Sequence, residues 1–296
     1  MSPSDGRYAP SPTGDLHLGN LRTALLAWLF ARSAGAAFRL RLEDLDAGRV
    51  RPGFAARQLA DLEALGLDWD GEVVVQSERL DHYAAALAEL DAAGRLYECF
   101  CTRAEIREAA SAPHGPLPEG AYPGTCLSLT TAERERRLAA GRRPALRLRA
   151  GGEVVRFEDR VLGERGGAVD DFVVRRNDGA PAYNLAVVVD DAAQGIGEVV
   201  RGADLSDSTP RQILLARLLG ARPPRFAHVP LVLGPDGARL AKRHGSVTLR
   251  EVEPAAALAW MTRSLGLPPA RDPRAWVEGF DPAALPREPV LFEGAG

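Results

Sequence analysis

Hydrophobic positions in the first part of the chain alternate between helical and strand-like spacing. After a short extended piece, RYAPSPTG, the apolar residues of 15–35 recur every three or four positions, which predicts a helix that ends at Gly35. Residues 38–42 then alternate apolar residues with arginines, which predicts a strand closed by Glu43. Strand, turn, helix and strand in this order begin a doubly wound α/β unit, in which ligands bind at the carboxyl ends of strands. Glu43 lies at such an end.

The same patterns extend along the rest of the chain. They predict helices at about 54–65, 79–93, 209–220 and 254–265, and strands at 72–76, 144–150 and 171–176. The apolar run NLAVVVDD and the segment GEVVRGADL predict two further buried strands, and residues 228–245 predict a hairpin. The proline-rich last ~30 residues carry no clear periodic signal.

These elements predict an α/β fold with a Rossmann-type doubly wound parallel sheet and a short helical C-terminal region. Cys, Pro and Gly become frequent after residue 96, which indicates an insertion in the sheet. We expect four segments: 1–96 as the first half of the core, 97–182 as the insertion, 183–240 as the second half, and 241–296 as a loop and helical end.

Composition narrows the class of protein. The 296 residues are 46% hydrophobic and 26% charged, as in soluble globular proteins. The longest apolar run, ALLAWLFA, is far below the ~18 residues that span a bilayer, so we expect a cytoplasmic protein without membrane contact. The net charge of -3 argues against a globally basic nucleic-acid binder. Residues 134–149 nevertheless carry seven arginines, which form either a phosphate-tracking surface or a solvated helix followed by a strand.

Three cysteines lie between residues 99 and 126, too few and too odd in number for a disulfide framework. Cys99 and Cys101 do not readily bridge each other, but with Cys126 they supply three soft ligands for zinc. By residue type, His114 is the favoured fourth ligand. The alternative is three buried free thiols. We expect one structural Zn²⁺ that pins the insertion over 97–182.

Residues 9–20, APSPTGDLHLGN, place small residues before a helix whose amino end carries His17 and Gly19. Backbone N–H groups and the dipole at a helix amino end bind phosphate oxygens, and an imidazole adds a donor. The plainer interpretation of His17 is a capping or packing residue. The pattern differs from a Walker P-loop, and no GxGxxG is present.

Lys242, in the segment RLAKRHGS, is the single lysine among 37 Lys and Arg residues. A flexible ammonium differs from a rigid guanidinium where it must follow a moving charge. On a loop, Lys242 and the adjacent Arg243 can close over a triphosphate as pyrophosphate leaves. An ordinary exposed lysine is the alternative.

Together these segments resemble a known family. HLGN and RLAKRHG resemble the two signature motifs of class I aminoacyl-tRNA synthetases. The segments RYAPSPTGDLHLGNLRTALLAWLFAR, LRLEDLD, YNLAVVVDD, VVRGADLSDSTPRQ and LAKRHG resemble, in order and over about residues 5–250, the catalytic core of glutamyl-tRNA synthetases. The resemblance implies a Rossmann core that binds ATP, with Mg²⁺ bridging the phosphates, and that activates L-glutamate to glutamyl-adenylate. The chain departs from the motifs at Asn20, Arg239 and Ala241, where the family has histidine, lysine and serine.

Position by position, the resemblance assigns the site residues. Glutamate-binding residues are Arg7, Tyr8, Ala9, Pro10, Ser11, Glu43, Tyr183 and Arg201. ATP-binding residues are His17, Gly19, Asn20, Lys242 and Arg243, of which His17 and Lys242 are catalytic. Two arginines can hold a carboxylate by forked bonds and Glu43 can hold the ammonium; taken alone, Glu43 would be a surface ion-pair partner and Tyr183 a core residue. Short relatives use a tyrosine at Tyr122, which implies the metal set Cys99, Cys101, Tyr122 and Cys126.

The acceptor of the glutamate follows from length and resemblance. Only 54 residues follow Lys242, whereas an anticodon-reading domain needs ~100 or more, so we expect none in 241–296. This resembles the short relatives that transfer glutamate to queuosine, and it implies L-glutamate, ATP and tRNA(Asp) carrying queuosine as partners. The alternatives are a truncated synthetase charging a tRNA 3′ end, an inactive zinc-containing tRNA-binding module, and a nucleotidyltransferase that shares only the phosphate motif.

Overall fold

The computed structural model describes residues 4–102, 104–106, 121–240, 244 and 247–293. The helices are α1 (Leu18–Ser33), α2 (Phe54–Ala64), α3 (Leu80–Ala92), α4 (Thr131–Ala139), α5 (Tyr183–Ala193), α6 (Thr209–Leu218) and α7 (Pro254–Leu265). The strands are β1 (Asp5–Tyr8), β2 (Phe38–Leu42), β3 (Val74–Val75), β4 (Leu96–Cys99), β5 (Ala145–Leu148), β6 (Val154–Asp159), β7 (Gly163–Ala168), β8 (Val173–Arg175), β9 (Ile196–Gly202), β10 (Arg225–Val229), β11 (Val232–Leu233) and β12 (Val290–Leu291). Short 3₁₀ helices cover Gln76–Glu78, Ala203–Ser208, Pro273–Gly279 and Pro282–Ala284.

Seven strands form the central sheet, in the order β3-β2-β1-β9-β10-β6-β7. Neighbouring strands are parallel except β6 and β7, which form an antiparallel hairpin. The chain runs from β1 outward to β2 and β3 and later returns to the other side of β1 as β9. A crevice therefore opens beyond the carboxyl ends of β1 and β9, the usual ligand position in doubly wound sheets. The α/β class predicted from the sequence is confirmed.

Helix α1 packs on this sheet and is buried along most of its length. Gly6 permits the close approach of β1, because a Cβ atom there would lie 3.1 Å from the Cβ atom of Ala31. The buried Arg22 donates to the carbonyl of Pro230 at 2.9 Å and to Ser264 Oγ at 2.9 Å. These contacts fix α1 against both β10 and α7, and so fix its amino end beside the crevice.

The prediction of a strand over 184–191 was wrong, because these residues form most of α5. A short apolar run carries no period that separates a buried strand from a buried helix. The extended backbone of Ala182 (φ -82°, ψ 153°) precedes the helix, and Gly195, at φ +69°, reverses the chain into β9. The polar end of the run therefore lies on a buried helix instead of at a strand end.

A second, antiparallel sheet contains β4, β5 and β8. It lies in the range 97–182 that was predicted as an insertion, although β6 and β7 of the same range join the central sheet. Near the C-terminus, β12 pairs in parallel with β11, a contact that no sequence pattern predicts. Within the described ranges, every helix is too short or too polar to cross a lipid bilayer.

Candidate active site and metal centre

A cavity of about 890 Å³ lies beyond the carboxyl ends of β1 and β9. The predicted site residues that line it are Arg7, Tyr8, Ala9, Pro10, Ser11, His17, Gly19, Asn20, Glu43, Tyr183 and Arg201. The structure thus brings the residues predicted to bind glutamate and the first signature motif to one cavity. Ala241, Lys242, Arg243 and His114 lie outside the described residues.

His17 caps the amino end of α1. Its Nδ1 accepts from the Asn20 N–H at 3.2 Å, and Asn20 Oδ1 accepts from the His17 N–H at 3.3 Å, which forms a reciprocal capping box. The capping interpretation of His17 is confirmed, but it leaves the other ring nitrogen for a ligand. Because Nδ1 accepts, the neutral ring carries its proton on Nε2 and can donate there. Burial, reinforced by the charge of Arg239, lowers the pKa of His17 to about 4, so the ring is neutral at pH 7.

The residues around His17 explain the rest of this motif. A Cβ atom at Gly19 would lie 3.1 Å from the His17 ring and 3.3 Å from the Cβ atom of Val232, so a larger residue would displace the imidazole. Leu18 N–H donates to the carbonyl of Val247 at 2.7 Å, and His17 forms an isolated bridge with Thr248. The chain that follows the predicted lysine loop therefore lies directly beside the first motif.

Arg7 and Glu43 belong to a buried set of ion pairs beside the cavity. Asp191 Oδ1 lies 3.3 Å from Arg7 Nε and 2.7 Å from Arg41 Nη1, and Arg41 Nη2 lies 3.2 Å from Glu43 Oε1. The pKa of Glu43 is raised, mainly by burial and further by Asp191, although Arg41 and Arg7 oppose the rise. Burial also raises the pKa of Asp191, but Arg7 and Arg41 together hold it below the ordinary value. An ionised Asp191 therefore anchors Arg7.

Sequence reasoning missed Arg41, Asp190 and Asp191. Asp190 is fully buried and accepts from Gln76 Nε2 at 2.8 Å and Tyr83 Oη at 2.8 Å, while Arg79 Nε lies 2.7 Å away. The acidic pair that ends NLAVVVDD was the sequence signal that could have identified Asp190 and Asp191. Interpreting that run as a strand placed the pair at a strand end, whereas in α5 it lies inside the protein.

Arg201 is the next-to-last residue of β9 and is only 4% exposed, although it lines the cavity. Its Nη1 donates to Gln212 Oε1 at 2.7 Å and its Nη2 donates to Thr209 Oγ1 at 2.7 Å. Its Nε donates to His228 Nε2 at 3.0 Å. The guanidinium is therefore held along all of its edges by buried neutral groups.

Arg239 comes just before the predicted lysine loop and lies at the exposed edge of the cavity. Its Nη1 is 2.6 Å from Asp204 Oδ2, and both residues line the cavity. Leu240 lines the same cavity. The family's first lysine position is thus occupied by an arginine that bridges the loop to the segment after β9.

The three cysteines form one group. Their sulfur atoms all lie within 4.8 Å of one another, and Tyr122 Oη is 3.5 Å from Cys99 Sγ and 3.8 Å from Cys101 Sγ. Tetrahedral zinc with bonds of about 2.3 Å places its sulfur ligands about 3.8 Å apart, so the donor set and its size fit such an ion. The guanidinium carbon of Arg147 lies 3.6 Å from the centre of the Tyr122 ring, a cation–π contact that holds the ring beside the sulfur atoms. The cluster is compatible with a metal.

The arginine-rich segment 134–149 forms a solvated helix followed by a strand, as the plainer interpretation predicts. Helix α4 has no buried residue, and β5 follows it. Arg134 pairs with Glu98, and Arg142 pairs with Glu105 at 2.8 Å. Two of the seven arginines of this segment are therefore paired with carboxylates within the described residues.

Known proteins share the sequence and the fold. The family described as tRNA synthetases class I (E and Q), catalytic domain, matches residues 5–266. A glutamyl-Q tRNA(Asp) synthetase of Nocardia farcinica is 62% identical, over 98% of this chain and 94% of its own length. One of Symbiobacterium thermophilum is 52% identical, over 96% of this chain and 94% of its own length.

A solved structure agrees. The crystal structure of a glutamate tRNA ligase from Elizabethkingia meningosepticum in complex with its amino acid matches with a TM-score of 0.82 and 27% identity. The match covers 98% of this chain and 67% of that chain. The chain therefore belongs to the class I tRNA synthetases (E and Q), among the glutamyl-Q tRNA(Asp) synthetases.

Proposed function

We propose that this protein activates L-glutamate with ATP to glutamyl-adenylate and transfers the glutamyl group to the queuosine base of tRNA(Asp). The observation that carries the proposal is one cavity lined by the first signature motif and by two buried arginines, Arg7 and Arg201. The relatives that match nearly the whole chain are named for this reaction. Because ATP and tRNA are its substrates, we expect it to act in the cytoplasm.

Glutamate presents two carboxylates and one ammonium, and the cavity offers charges of the opposite signs. Arg7 suits one carboxylate, because a guanidinium forms two parallel hydrogen bonds with a carboxylate. Arg201, which protein groups already hold, suits the other carboxylate by its charge. Glu43 suits the ammonium. Glutamine would bring amide N–H groups against guanidinium N–H groups, so such a site selects glutamate. Tyr8, Ala9, Pro10, Ser11 and Tyr183 complete this end of the cavity.

In adenylate formation, an oxygen of the glutamate α-carboxylate attacks the α-phosphorus of ATP, and the bond from that phosphorus to pyrophosphate breaks. The step needs positioning and stabilisation of phosphate charge rather than covalent help. We assign this charge to the N–H groups at the amino end of α1, beside Gly19 and Asn20, to the Nε2–H group of His17 and to the ammonium of Lys242. Mg²⁺, when bound with ATP, would supply further positive charge to the phosphates.

The flanks of the lysine loop support a role of Lys242 and Arg243 at this end. Leu240 lines the cavity, and Val247 and Thr248 contact the first two residues of the signature motif. Both ends of the segment 241–246 are thus fixed near His17. The described residues on either side of Lys242 therefore support its assignment to the phosphate end of the cavity.

We further propose that the cysteine group holds one structural Zn²⁺ through Cys99, Cys101, Cys126 and Tyr122. The three sulfurs and the phenol oxygen supply four donors of the kinds that a closed structural site uses. The ion would fix the small sheet of β4, β5 and β8 and leave the chemistry of activation to the cavity.

A second cleft, of about 1220 Å³, is suited to the tRNA. It shares Ser11, Glu43 and Tyr183 with the first cavity and extends to the cysteine group. Its other lining residues include Arg143, whose charge attracts a phosphate backbone, beside Arg142 and Arg176, which pair with Glu105 and Asp178. In functional terms, we propose 1–96 and 183–240 as the catalytic core, 97–182 as the zinc-containing insertion, and 241–296 as the lysine loop with its helical end.

The test is transfer of radioactive glutamate, in the presence of ATP, to tRNA with and without queuosine. Each tRNA is also prepared without its 3′-terminal adenosine, which removes the ordinary attachment site. We expect label only in queuosine-containing tRNA(Asp), with equal yield for the trimmed molecules. Label on the 3′ end of queuosine-free tRNA(Glu) would identify a truncated tRNA-charging enzyme instead. Binding of tRNA without any glutamate-dependent pyrophosphate exchange would identify an inactive binding module.

A further inference from the structure

Polar residues at or next to the ends of three neighbouring strands form one buried row. Arg201 near the end of β9 is the register partner of His228 in β10, and Asp159 is the last residue of β6, beside β10. Their exposed fractions are 4%, 0% and 1%. Arg201 lines the glutamate cavity, so the row leads from that cavity into the interior of the sheet.

Hydrogen bonds connect the row. His228 Nδ1 lies 2.6 Å from Asp159 Oδ2, and Arg201 Nε donates to His228 Nε2 at 3.0 Å. Asp159 Oδ1 also accepts from the backbone N–H groups of Val161 at 3.0 Å and Leu162 at 2.9 Å. Burial raises the pKa of Asp159, but these donors and the His228 ring bring it below the ordinary value. The carboxylate is therefore ionised although it is buried.

The donors and acceptors of the row allow one arrangement of protons. Arginine Nε can only donate, and an ionised carboxylate can only accept. Burial lowers the pKa of His228, which favours the neutral ring. A neutral His228 between these two groups must carry its proton on Nδ1 and present the Nε2 lone pair to Arg201.

We propose that Asp159 and His228 are positioning residues for the glutamate site: Asp159 sets the tautomer of His228, and His228 Nε2 holds the Arg201 guanidinium at the angle that receives a substrate carboxylate. The inference rests on the proposed binding of glutamate by Arg201. Gln212 and Thr209 hold the two Nη groups, so His228 is the contact that controls the Nε edge. Attraction between the guanidinium and a substrate carboxylate depends on where the guanidinium lies, and a displacement of 1 Å can reduce catalysis by about 100-fold.

The first test is Asp159→Asn in the full chain. The amide oxygen can still accept the backbone N–H groups, but the amide nitrogen now donates to His228 Nδ1 and moves the ring proton to Nε2. That proton then opposes the N–H of Arg201 Nε. We expect the KM for glutamate in pyrophosphate exchange to rise about 10- to 100-fold, while the KM for ATP stays within about threefold.

The second test separates the two contacts of His228. His228→Gln places an amide oxygen near the Nε2 position and keeps an acceptor for Arg201, whereas His228→Asn keeps a donor for Asp159 and loses that acceptor. We expect the KM for glutamate to rise much more in the Asn variant than in the Gln variant. Both variants are compared by circular dichroism and unfolding midpoint, because a merely structural role would impair both alike.

The wild-type protein provides a readout that needs no variant. Nitrogen-15 NMR of the His228 ring is expected to show Nδ1 protonated and Nε2 unprotonated. The opposite tautomer, or equal KM values for glutamate in the wild type, Asp159→Asn and His228→Asn, would overturn this inference alone. Absence of glutamate-dependent exchange in the wild type would instead overturn the proposed function.

Discussion

The glutamate cavity and the cysteine group place their functional side chains by different physical means. Beside the cavity, Arg41, Asp190 and Asp191 are buried between two large hydrophobic clusters and are fixed by one another. The cysteine group belongs to a small cluster of five buried residues, Tyr97, Cys99, Phe100, Tyr122 and Cys126. The cavity is therefore organised by the fold itself, whereas the proposed zinc would organise the cysteine group.

The two regions should respond differently when a charged partner is removed from one and the metal from the other. A buried charge that loses its partner remains buried, because the surrounding core does not move, and its desolvation is no longer offset. A small apolar cluster that loses a metal can open, because few apolar contacts hold it closed. We expect single substitutions to be severe beside the cavity, and metal removal to act mainly on β4, β5 and β8.

The largest expected effect is that of Asp190→Ala. It leaves the guanidinium groups of Arg41 and Arg79 beside an empty acceptor site and removes the partner of Tyr83. We expect the free energy of unfolding to fall by about 3–5 kcal/mol. Urea denaturation followed by circular dichroism measures it.

Asp178→Ala is the matched control, since Asp178 also pairs with an arginine, Arg176, but both side chains are exposed. Its expected cost is about 0–1 kcal/mol. Equal costs for the two variants would show that the cavity is not organised by its buried ion pairs.

The second effect concerns His17, which the fold holds in one tautomer. His17→Asn keeps a good cap for α1 but removes the Nε2–H donor. We expect an unchanged unfolding midpoint and a fall in kcat for pyrophosphate exchange by about 10²–10³, as for loss of a donor to developing charge. Because the pKa of His17 is about 4, the wild-type rate should not lose this donor's contribution between about pH 8 and about pH 5.5.

Comparison of His17→Asn with His17→Ala isolates the cap. The alanine variant should lose about 1 kcal/mol of stability in addition to the same fall in kcat. If the asparagine variant kept wild-type kcat, capping would be the whole role of His17.

The third effect is metal removal. A ligand present at about 100 times its Kd stabilises the folded state by about 2.7 kcal/mol, so a chelator should lower the unfolding midpoint accordingly. We expect glutamate-dependent pyrophosphate exchange below that midpoint to persist, because the cavity lies in the central sheet, while transfer to tRNA falls. Equal loss of both activities would mean that the two regions are not independent. Metal content is measured by mass spectrometry before and after chelation.

Sequence patterns predicted the site residues that can be recognised from their neighbours in the chain. The end of the predicted strand located Glu43, and the HLGN segment located the amino end of α1. The spacing of Cys99, Cys101 and Cys126 predicted the cysteine group. They did not reveal Asp191, whose partner Arg7 is 184 positions away. Nor did they reveal Asp159, because β6 joins the central sheet from within a range that looked like an insertion. Which buried polar residues meet across strands depends on the order of strands in the sheet. The spacing of hydrophobic residues along the chain does not determine that order.

The smallest effect concerns Arg239, which takes the place of a lysine at the exposed edge of the same cavity. Burial is the main reason for the low pKa of His17, and the charge of Arg239 lowers it further. Arg239→Ala should therefore raise the His17 pKa, while Arg239→Lys, which keeps the charge, should leave it near the wild-type value. NMR titration of the His17 ring protons measures both variants. Their stability should differ from wild type by about 1 kcal/mol or less, because the ion pair with Asp204 is exposed. An unshifted pKa in Arg239→Ala would mean that burial alone keeps His17 neutral. The fold would then determine the state of this edge of the cavity as fully as it determines the buried ion pairs.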